Sequence, residues 1–143
     1  MSHNDIMSVE LDANYRPNES EPYMCREQLA YFYRLLSAQR AELESERASV
    51  LNAVRMADKS ESVGVGDESD NATYNQDITM DLRMSDRNNK LLAKINAALE
   101  RIVNGKYGFS VISGDEIGLG RMMARPLATM TIEEQEEHER SRN

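Results

Sequence analysis

Apolar residues recur at alternating steps of three and four along residues 26–60, a stretch that contains neither proline nor glycine. The apolar positions are Leu29, Phe32, Leu36, Leu43 and Val50, and the polar Gln39 and Glu46 interrupt them. Such a narrow stripe is typical of a helix that pairs with one other helix, rather than of a helix that lies on a broad core. The stretch therefore predicts one arm of a coiled coil.

A second stretch, residues 71–105, repeats this spacing after a short segment that contains two glycines and several acids. Its stripe consists of Ile78, Leu82, Ser85, Asn89, Leu92, Ile95, Leu99 and Ile102. Folding the chain about residue 64 pairs Leu36 with Leu92, Phe32 with Ile95, Leu29 with Leu99 and Gln39 with Asn89. We predict an antiparallel helical hairpin over residues 26–104, with an acidic tip near 59–71.

The chain on either side of the hairpin has a different character. Residues 1–25 are polar and contain two prolines, which predicts a flexible arm, and residues 105–143 predict a small loop-rich module. The candidate core of the module is Val111, Ile112, Ile117, Leu119, Met122, Met123, Leu127, Met130 and Ile132, closed toward the hairpin by Tyr107 and Phe109. A final helix begins at Thr131, where Thr131 and Glu134 have the spacing of a capping box, worth about 1 kcal/mol. The fold class is mainly α.

Composition narrows the function classes. The net charge is −8, from 25 acidic and 17 basic residues, which disfavours direct binding to DNA or RNA unless a local basic face exists. No apolar run approaches the length of a membrane span, so we expect a cytoplasmic monomer with protein partners.

Cys25 is the only cysteine, and His3 and His138 lie in expected tails. Without a nucleophilic triad or a multi-cysteine site, we expect neither an enzyme nor a disulfide.

Two pairs of residues have the spacing of metal-binding knuckles without the usual ligands. Ser110 and Ser113 are three apart before a glycine, and Thr131 and Glu134 repeat the interval. Neutral hydroxyls are poor zinc ligands, and one carboxylate cannot hold a tetrahedral site alone. We predict no structural zinc and no other bound metal, with apolar packing and a helix cap in its place.

Several segments together resemble one family. They are YM at 23–24, QLAYF at 28–32, DESDNA at 67–72, LRMSDRNNKLLAKI at 82–95, YGF at 107–109, GDEIGLGR at 114–121 and ARP at 124–126. This combination is similar to the DksA/TraR family of bacterial transcription factors, over all but about the first twenty residues. The resemblance implies a hairpin that enters the secondary channel of RNA polymerase, a globular part that grips the channel rim, and control of initiation together with ppGpp, the nucleotide of the stringent response. It also implies no direct contact with DNA.

The resemblance assigns the tip function to Asp67, Asp70 and Ala72. Carboxylates at the end of a narrow probe can meet basic side chains or perturb a magnesium-bound active centre. The residues alone leave another interpretation open, in which these acids are simply solvated or Asp70 is the N-cap of the second helix.

The surface that faces the polymerase and ppGpp falls, by the same resemblance, on Arg87, Leu91, Lys94, Arg125 and Gln135. Gln135 departs from the family pattern, which has lysine there, and a neutral amide cannot fully replace a charge-assisted contact to phosphate. We therefore expect a weaker dependence on ppGpp. Arg87 and Lys94 are also compatible with ordinary surface charges on a helix.

Zinc-containing members of the family have cysteines at the positions of Ser110, Ser113, Thr131 and Glu134, so the chain resembles a variant that lacks the zinc-finger cysteines. Two alternatives have related features. A Gre-type transcript-cleavage factor also has an acidic coiled-coil tip, but begins with its coiled coil and ends in a larger domain. A structural coiled-coil adaptor would have no role at the polymerase.

Overall fold

The computed structural model describes residues 2–62 and 68–142, apart from the side chains of 57–62, 68–75, 77, 78 and 81. The helices in this part of the chain are α1 (His3–Met7), α2 (Arg26–Ser62), α3 (Glu68–Val103), α4 (Leu119–Ala124) and α5 (Ile132–Arg142). The same residues contain no strand beyond the single bridge between Phe109 and Glu116. The prediction of a mainly helical chain with two long helices is confirmed.

The chain forms two compact units. Unit 1 consists of Met1–Ala38 and Ile95–Asn143, and unit 2 consists of Gln39–Lys94. Helices α2 and α3 contribute to both units. The sequence predicts a division into arm, hairpin and module, whereas the structure places the arm, the base of the hairpin and the module in one unit.

The core of unit 1 is built from the apolar ends of the two long helices and from the module. Its largest fully buried side chains include Phe32, Leu36, Ile95, Leu99, Ile102, Tyr107 and Met122. The rings of Phe32 and Tyr107 are tilted against each other, with their centroids 5.3 Å apart. The predicted closure of this core by Tyr107 is confirmed, and apolar burial provides its main stabilisation.

Residues 2–25 are packed as part of unit 1 rather than forming the flexible arm that their polarity predicts. Ile6 on α1 is buried, and the side chains of Ser2 and Asp5 form a capping box that starts this helix. The ring of His3 contacts that of Tyr33 and shares a hydrogen bond with its hydroxyl, so His3 does not lie in a free tail. The polar composition of this segment did not predict the packing, because a single buried apolar residue, Ile6, holds α1 in place.

Unit 2 has a thinner apolar contact than the periodicity predicts. Leu43 and Val50 are only half-buried, and Leu82 is 50% exposed. Asn89 is exposed, whereas Asn88 donates a hydrogen bond from Nδ2 to Oε2 of Glu46, with a length of 3.0 Å. Asn88 is therefore the half-buried asparagine that faces α2 at this level, and the pairing of Gln39 with Asn89 stays a prediction.

A tyrosine hydroxyl fixes the start of the module. The Tyr23 hydroxyl donates to the carbonyl oxygen of Gly108 at 2.6 Å and accepts from the backbone amide of Gly118 at 3.1 Å. Gly108 has a φ of +88°, and a Cβ there would lie 2.8 Å from Met24 Cγ and 2.9 Å from the Tyr23 hydroxyl. Only glycine suits this position without displacement of its neighbours.

Candidate functional site

The first half of the knuckle is a turn organised by Ser110. Its side chain is buried, and its Oγ accepts hydrogen bonds from the backbone amides of Ile112, at 3.0 Å, and Ser113, at 3.2 Å. The amide of Gly114 donates to the Ser110 carbonyl at 3.0 Å, and Gly114 takes a φ of +79°. The turn is thus closed by a serine and a glycine, as the spacing predicts.

The second half of the knuckle is the start of α5. The Thr131 amide donates to Oε1 of Glu134 at 2.9 Å, and the Glu134 amide donates to Oγ1 of Thr131 at 3.2 Å. These reciprocal bonds satisfy two amides that a helix N-terminus otherwise leaves free. The predicted capping box is confirmed.

The Glu134 carboxylate has a lowered pKa. The Thr131 backbone amide and then the Ser110 hydroxyl hold the pKa of Glu134 below its ordinary value, while desolvation opposes them. The hydrogen bonds of the two halves remain local to each half, apart from the Val111 amide, which donates to the Thr129 carbonyl at 2.9 Å.

This set of donors does not suit zinc. Three of the four groups are hydroxyls, and the single carboxylate already accepts a hydrogen bond from the Thr131 amide. Zinc sites in proteins use thiolate, imidazole and carboxylate ligands in tetrahedral sets. Within the described residues, no cluster of three or more His, Cys, Asp and Glu side chains could hold a metal ion.

The module buries fewer apolar residues than the sequence predicts. Ile117, Leu119 and Met122 are buried, and Met123, Leu127 and Met130 are half-buried. Val111, Ile112 and Ile132 are exposed by 61%, 66% and 50%, so their assignment to the core is wrong. They lie next to the polar groups that form the Ser110 turn and the cap of α5.

The tip residues fall largely outside the described part of the chain. Asp67 lies in the undescribed segment, and Asp70 and Ala72 belong to α3, with side chains that are not described. Because α3 begins at Glu68, Asp70 is its third residue. The alternative interpretation of Asp70 as an N-cap is therefore wrong.

The face of α3 that carries Arg87 and Lys94 is exposed and basic. Both side chains are exposed, Leu91 is 36% exposed, and none of the described residues forms an ion pair with Arg87 or Lys94. Arg83 and Lys90 extend this face, because steps of four, three and four place them on one side of a helix. Lys90 lies 3.5 Å from Asp86 in an exposed ion pair.

Sequence reasoning missed two members of this basic face. Arg83 and Lys90 were recognisable from the spacing alone, since four basic residues occur at 83, 87, 90 and 94. The net charge of −8 does not reveal these two residues, because it is a sum over the whole chain and averages over local patches. The local basic face that composition left open is therefore present on α3.

The remaining predicted contact residues belong to unit 1. Arg125 is exposed at the C-terminal end of α4, where its amide donates to the Arg121 carbonyl at 2.7 Å. Gln135 is half-buried on α5, and its Nε2 donates to Oε1 of Glu139 at 3.2 Å. Leu91 and Lys94 belong to unit 2.

A search of the described helices finds none that is long and apolar enough to cross a membrane. Their surfaces carry charges on most turns. The exposed large apolar residues are distributed over α1, α2, α3, the Ser110 turn and the start of α5.

Known proteins resemble the chain over most of its length. A family model described as DnaK suppressor protein DksA, N-terminal domain, matches residues 28–102. The RNA polymerase-binding transcription factor DksA of Caulobacter vibrioides (strain NA1000 / CB15N) is 40% identical over 128 residues, which are 90% of this chain and 87% of that protein. The protein of the same name from Escherichia coli (strain K12) is 32% identical over 119 residues, which are 83% of this chain and 76% of that protein.

A solved structure extends the resemblance to three dimensions. Transcription factor DksA2 from Pseudomonas aeruginosa aligns with a TM-score of 0.73 and 36% identity, and the alignment covers 87% of this chain and 95% of that one. The family match extends over most of α2 and α3 and agrees with the sequence resemblance. The chain belongs to the DksA family.

Proposed function

We propose that the chain is a non-catalytic transcription regulator that binds bacterial RNA polymerase through the secondary channel. In this proposal Asp67, Asp70 and Ala72 at the hairpin tip are directed toward the active centre. The protein acts in the cytoplasm as a monomer, makes no direct contact with DNA, and modulates initiation with ppGpp as a co-effector. Its relatives in Caulobacter and Escherichia carry the name RNA polymerase-binding transcription factor, which supports the choice of partner.

The observation that carries the proposal is the basic face of α3. Arg83, Arg87, Lys90 and Lys94 are exposed on one side of a helix in a chain of net charge −8. Such a local reversal of charge fits an acidic patch on a protein partner, because complementary charges speed association and fix orientation. Leu91 adds an apolar contact on the same helix.

For ppGpp we propose a weaker contact than in family members with lysine at the position of Gln135. Arg125 is exposed and can supply a bidentate contact to a phosphate. Gln135 shares its side-chain amide with Glu139, which places a carboxylate beside the expected phosphate position. The co-effector should therefore change the response only modestly.

We further propose that the regulator works without zinc. The donor chemistry of Ser110, Ser113, Thr131 and Glu134 supports this, since none is a thiolate or an imidazole. Activity should therefore persist in chelator-treated protein.

The proposal is tested by the affinity of purified polymerase for variants of the α3 face. Arg87→Ala and Lys94→Ala should each weaken binding by about fivefold or more, because each removes a charge from the interface. Arg47→Ala is the matched control, since Arg47 is an exposed basic residue on α2 in the same unit. Equal affinities for all three variants would contradict the proposal.

In vitro transcription from a ribosomal RNA promoter separates binding from regulation. The wild-type chain should inhibit this promoter, with a small further effect of ppGpp, and Asp70→Asn should bind polymerase but regulate poorly. A Gre-type factor would instead stimulate cleavage of the transcript in a stalled complex. A structural adaptor would leave transcription unchanged whatever the residue at position 70.

A further inference from the structure

A groove lies within unit 1, between the N-terminal segment and helix α2. Its larger compartment has a volume of about 650 Å³ and is lined by residues 7–12, 15, 27 and 34. A smaller compartment, with a volume of about 310 Å³, is lined by residues 11–13, 15, 31, 34 and 35. Because residues 11, 12, 15 and 34 line both compartments, the two form one continuous groove, which we call the N-terminal groove. Both volumes lie within the range of ligand sites in proteins.

Arg34 of α2 fixes one wall of the N-terminal groove. Its Nη2 donates to the carbonyl oxygen of Val9, and to that of Met7 at 3.5 Å. These bonds attach the N-terminal segment to α2, and they direct the guanidinium at the backbone rather than at a carboxylate. Arg34 forms no ion pair with any residue that the structure describes. The one basic residue of the lining therefore holds the wall and leaves the acids of the groove unpaired.

Tyr15 forms a second wall, and a fully buried glutamine holds it in place. The Tyr15 hydroxyl donates to Oε1 and Oε2 of Glu21 at 2.9 and 3.0 Å. Oε1 of Glu21 also accepts from the Asn18 amide at 3.2 Å and from Nε2 of Gln28 at 3.4 Å. The Gln28 side chain is completely buried, and its Oε1 accepts from the Met24 amide at 2.9 Å. A satisfied buried network of this kind is rigid, so the shape of the groove is formed before any ligand binds.

Three acids give the N-terminal groove a negative charge. The side chains of Glu10, Asp12 and Glu27 are exposed, and none of them forms a hydrogen bond or an ion pair with another described residue. Within the described chain, no cluster of acids is arranged to hold a metal ion. The rings of Tyr15 and Tyr31, which also line the groove, lie edge to face with their centroids 6.2 Å apart. Since aromatic faces attract organic cations, this lining favours an organic cation over a metal ion.

The two compartments differ in character. All three acids line the larger one, which we call the acidic compartment. Asp12 is the only acid of the smaller one, where Tyr31 and Leu35 are half-buried, and we call it the aromatic compartment. A ligand that fills both must combine a positive group with an apolar group. In an extended peptide, side chains two residues apart lie on the same face at a separation of about 6.5–7 Å, so a basic residue followed two positions later by an apolar one has the required arrangement.

We propose that the N-terminal groove binds a basic peptide segment of a partner protein, with an arginine or lysine side chain in the acidic compartment and an apolar side chain in the aromatic compartment. Complementary charge directs the segment to the groove, and the apolar contact fixes its register. The preformed walls reduce the ordering that binding requires. This proposal goes beyond the function at the polymerase and does not depend on it.

The first experiment is an NMR titration of the full chain with the acetylated, amidated peptide Ala-Arg-Ala-Leu-Ala. The amide signals of residues 10–15, 27, 31 and 35 should shift. A peptide with glutamine in place of arginine should bind at least about fivefold more weakly, and one with alanine in place of leucine at least about threefold more weakly. Spermidine, which has positive charges but no apolar side chain, should also bind more weakly than the arginine peptide. Shifts confined to other parts of the surface, or equal affinity for spermidine, would overturn the proposal.

Substitution of the acids tests the groove itself. Glu27→Gln and Asp12→Asn should each weaken binding of the arginine peptide by about threefold or more, because each removes a carboxylate from the acidic compartment. Glu100→Gln is the matched control, since Glu100 is an exposed acid on α3 in the same unit and does not line the groove. The Tm of each variant checks that it folds. If Glu100→Gln weakened binding as much as the other two substitutions, the peptide would respond only to net charge and the proposal would be wrong.

Discussion

The aromatic core around Phe32 and Tyr107 and the knuckle around Ser110 and Glu134 lie in the same compact unit but are stabilised in opposite ways. Phe32 and Tyr107 are almost completely buried, and burial raises the pKa of Tyr107, so its hydroxyl stays neutral and donates to the Pro126 carbonyl at 2.7 Å. In the knuckle, hydrogen bonds lower the pKa of Glu134 and keep it charged.

The difference separates two sources of stability. The core gains its free energy from apolar area removed from water, which depends on volume and shape rather than on the identity of any one polar atom. The knuckle gains its free energy from a few directed hydrogen bonds, one of them to the charge of Glu134, and these bonds depend on protonation and geometry. Within one small unit, the stability of the core should therefore be insensitive to low pH, whereas the stability of the knuckle should depend on pH.

The largest expected effect is the loss of a ring from the core. Phe32→Ala should reduce the free energy of unfolding by about 3–5 kcal/mol, since it removes buried area and leaves a cavity beside Tyr107. Urea unfolding followed by circular dichroism measures this change. Leu51→Ala on the same helix is the control, because Leu51 is 47% exposed and its truncation should cost less than about 0.5 kcal/mol. Similar losses for the two variants would mean that burial does not decide which apolar side chains of α2 stabilise the chain.

An intermediate effect is expected at Gly108, which joins the core to the knuckle. Gly108→Ala should reduce the free energy of unfolding by about 2–3 kcal/mol, from the positive φ and from the contact with Tyr23 and Met24. Gly120→Ala on α4 is the matched control, because a Cβ there meets no atom within 4 Å, and it should stabilise the chain by about 0.4–1 kcal/mol. If both substitutions were neutral under thermal unfolding, the Tyr23 contact would not fix the start of the module.

Sequence periodicity predicted the core well and the knuckle only in outline. Phe32, Leu36, Ile95 and Leu99 follow a regular helical spacing, and the structure buries all of them. The spacing of Thr131 and Glu134 correctly indicated a capping box, because that motif is local in sequence.

The features that the sequence did not predict depend on contacts between distant segments, and periodicity carries no information about such contacts. Val111 and Ile112 are apolar and were expected inside, yet both are exposed, and the buried side chain of the turn is Ser110, whose Oγ accepts from two amides of the turn. Asn88 and Asn89 both fit the spacing of α3, and only the bond to Glu46 selects between them. The packing of residues 2–25 includes the burial of Ile6 and the hydrogen bond between His3 and Tyr33 on α2, and a local pattern predicts neither.

The smallest expected effect is a loss of stability at low pH through Glu134, and it distinguishes the knuckle from the core. The pKa of Glu134 lies below its ordinary value of 4.5 in the folded chain, chiefly because of the Thr131 backbone amide and the Ser110 hydroxyl. The unfolded chain therefore binds a proton at higher pH than the folded chain does. Stability from Glu134 is fully present above the unfolded pKa and is lost as the pH falls through the folded pKa.

Other carboxylates contribute to the same acid profile, so the comparison must be between variants. Asp5 also has a lowered pKa, through the Ser2 backbone amide, and so does Glu21, where hydrogen bonds from Tyr15, Asn18 and Gln28 outweigh desolvation. Glu134→Gln should flatten the dependence of Tm on pH below about 4.5 relative to the wild type, whereas Phe32→Ala should lower Tm at every pH and keep the slope. Parallel profiles for wild type and Glu134→Gln would show that the folded knuckle does not prefer the ionised carboxylate, and that it differs from the core in exposure alone.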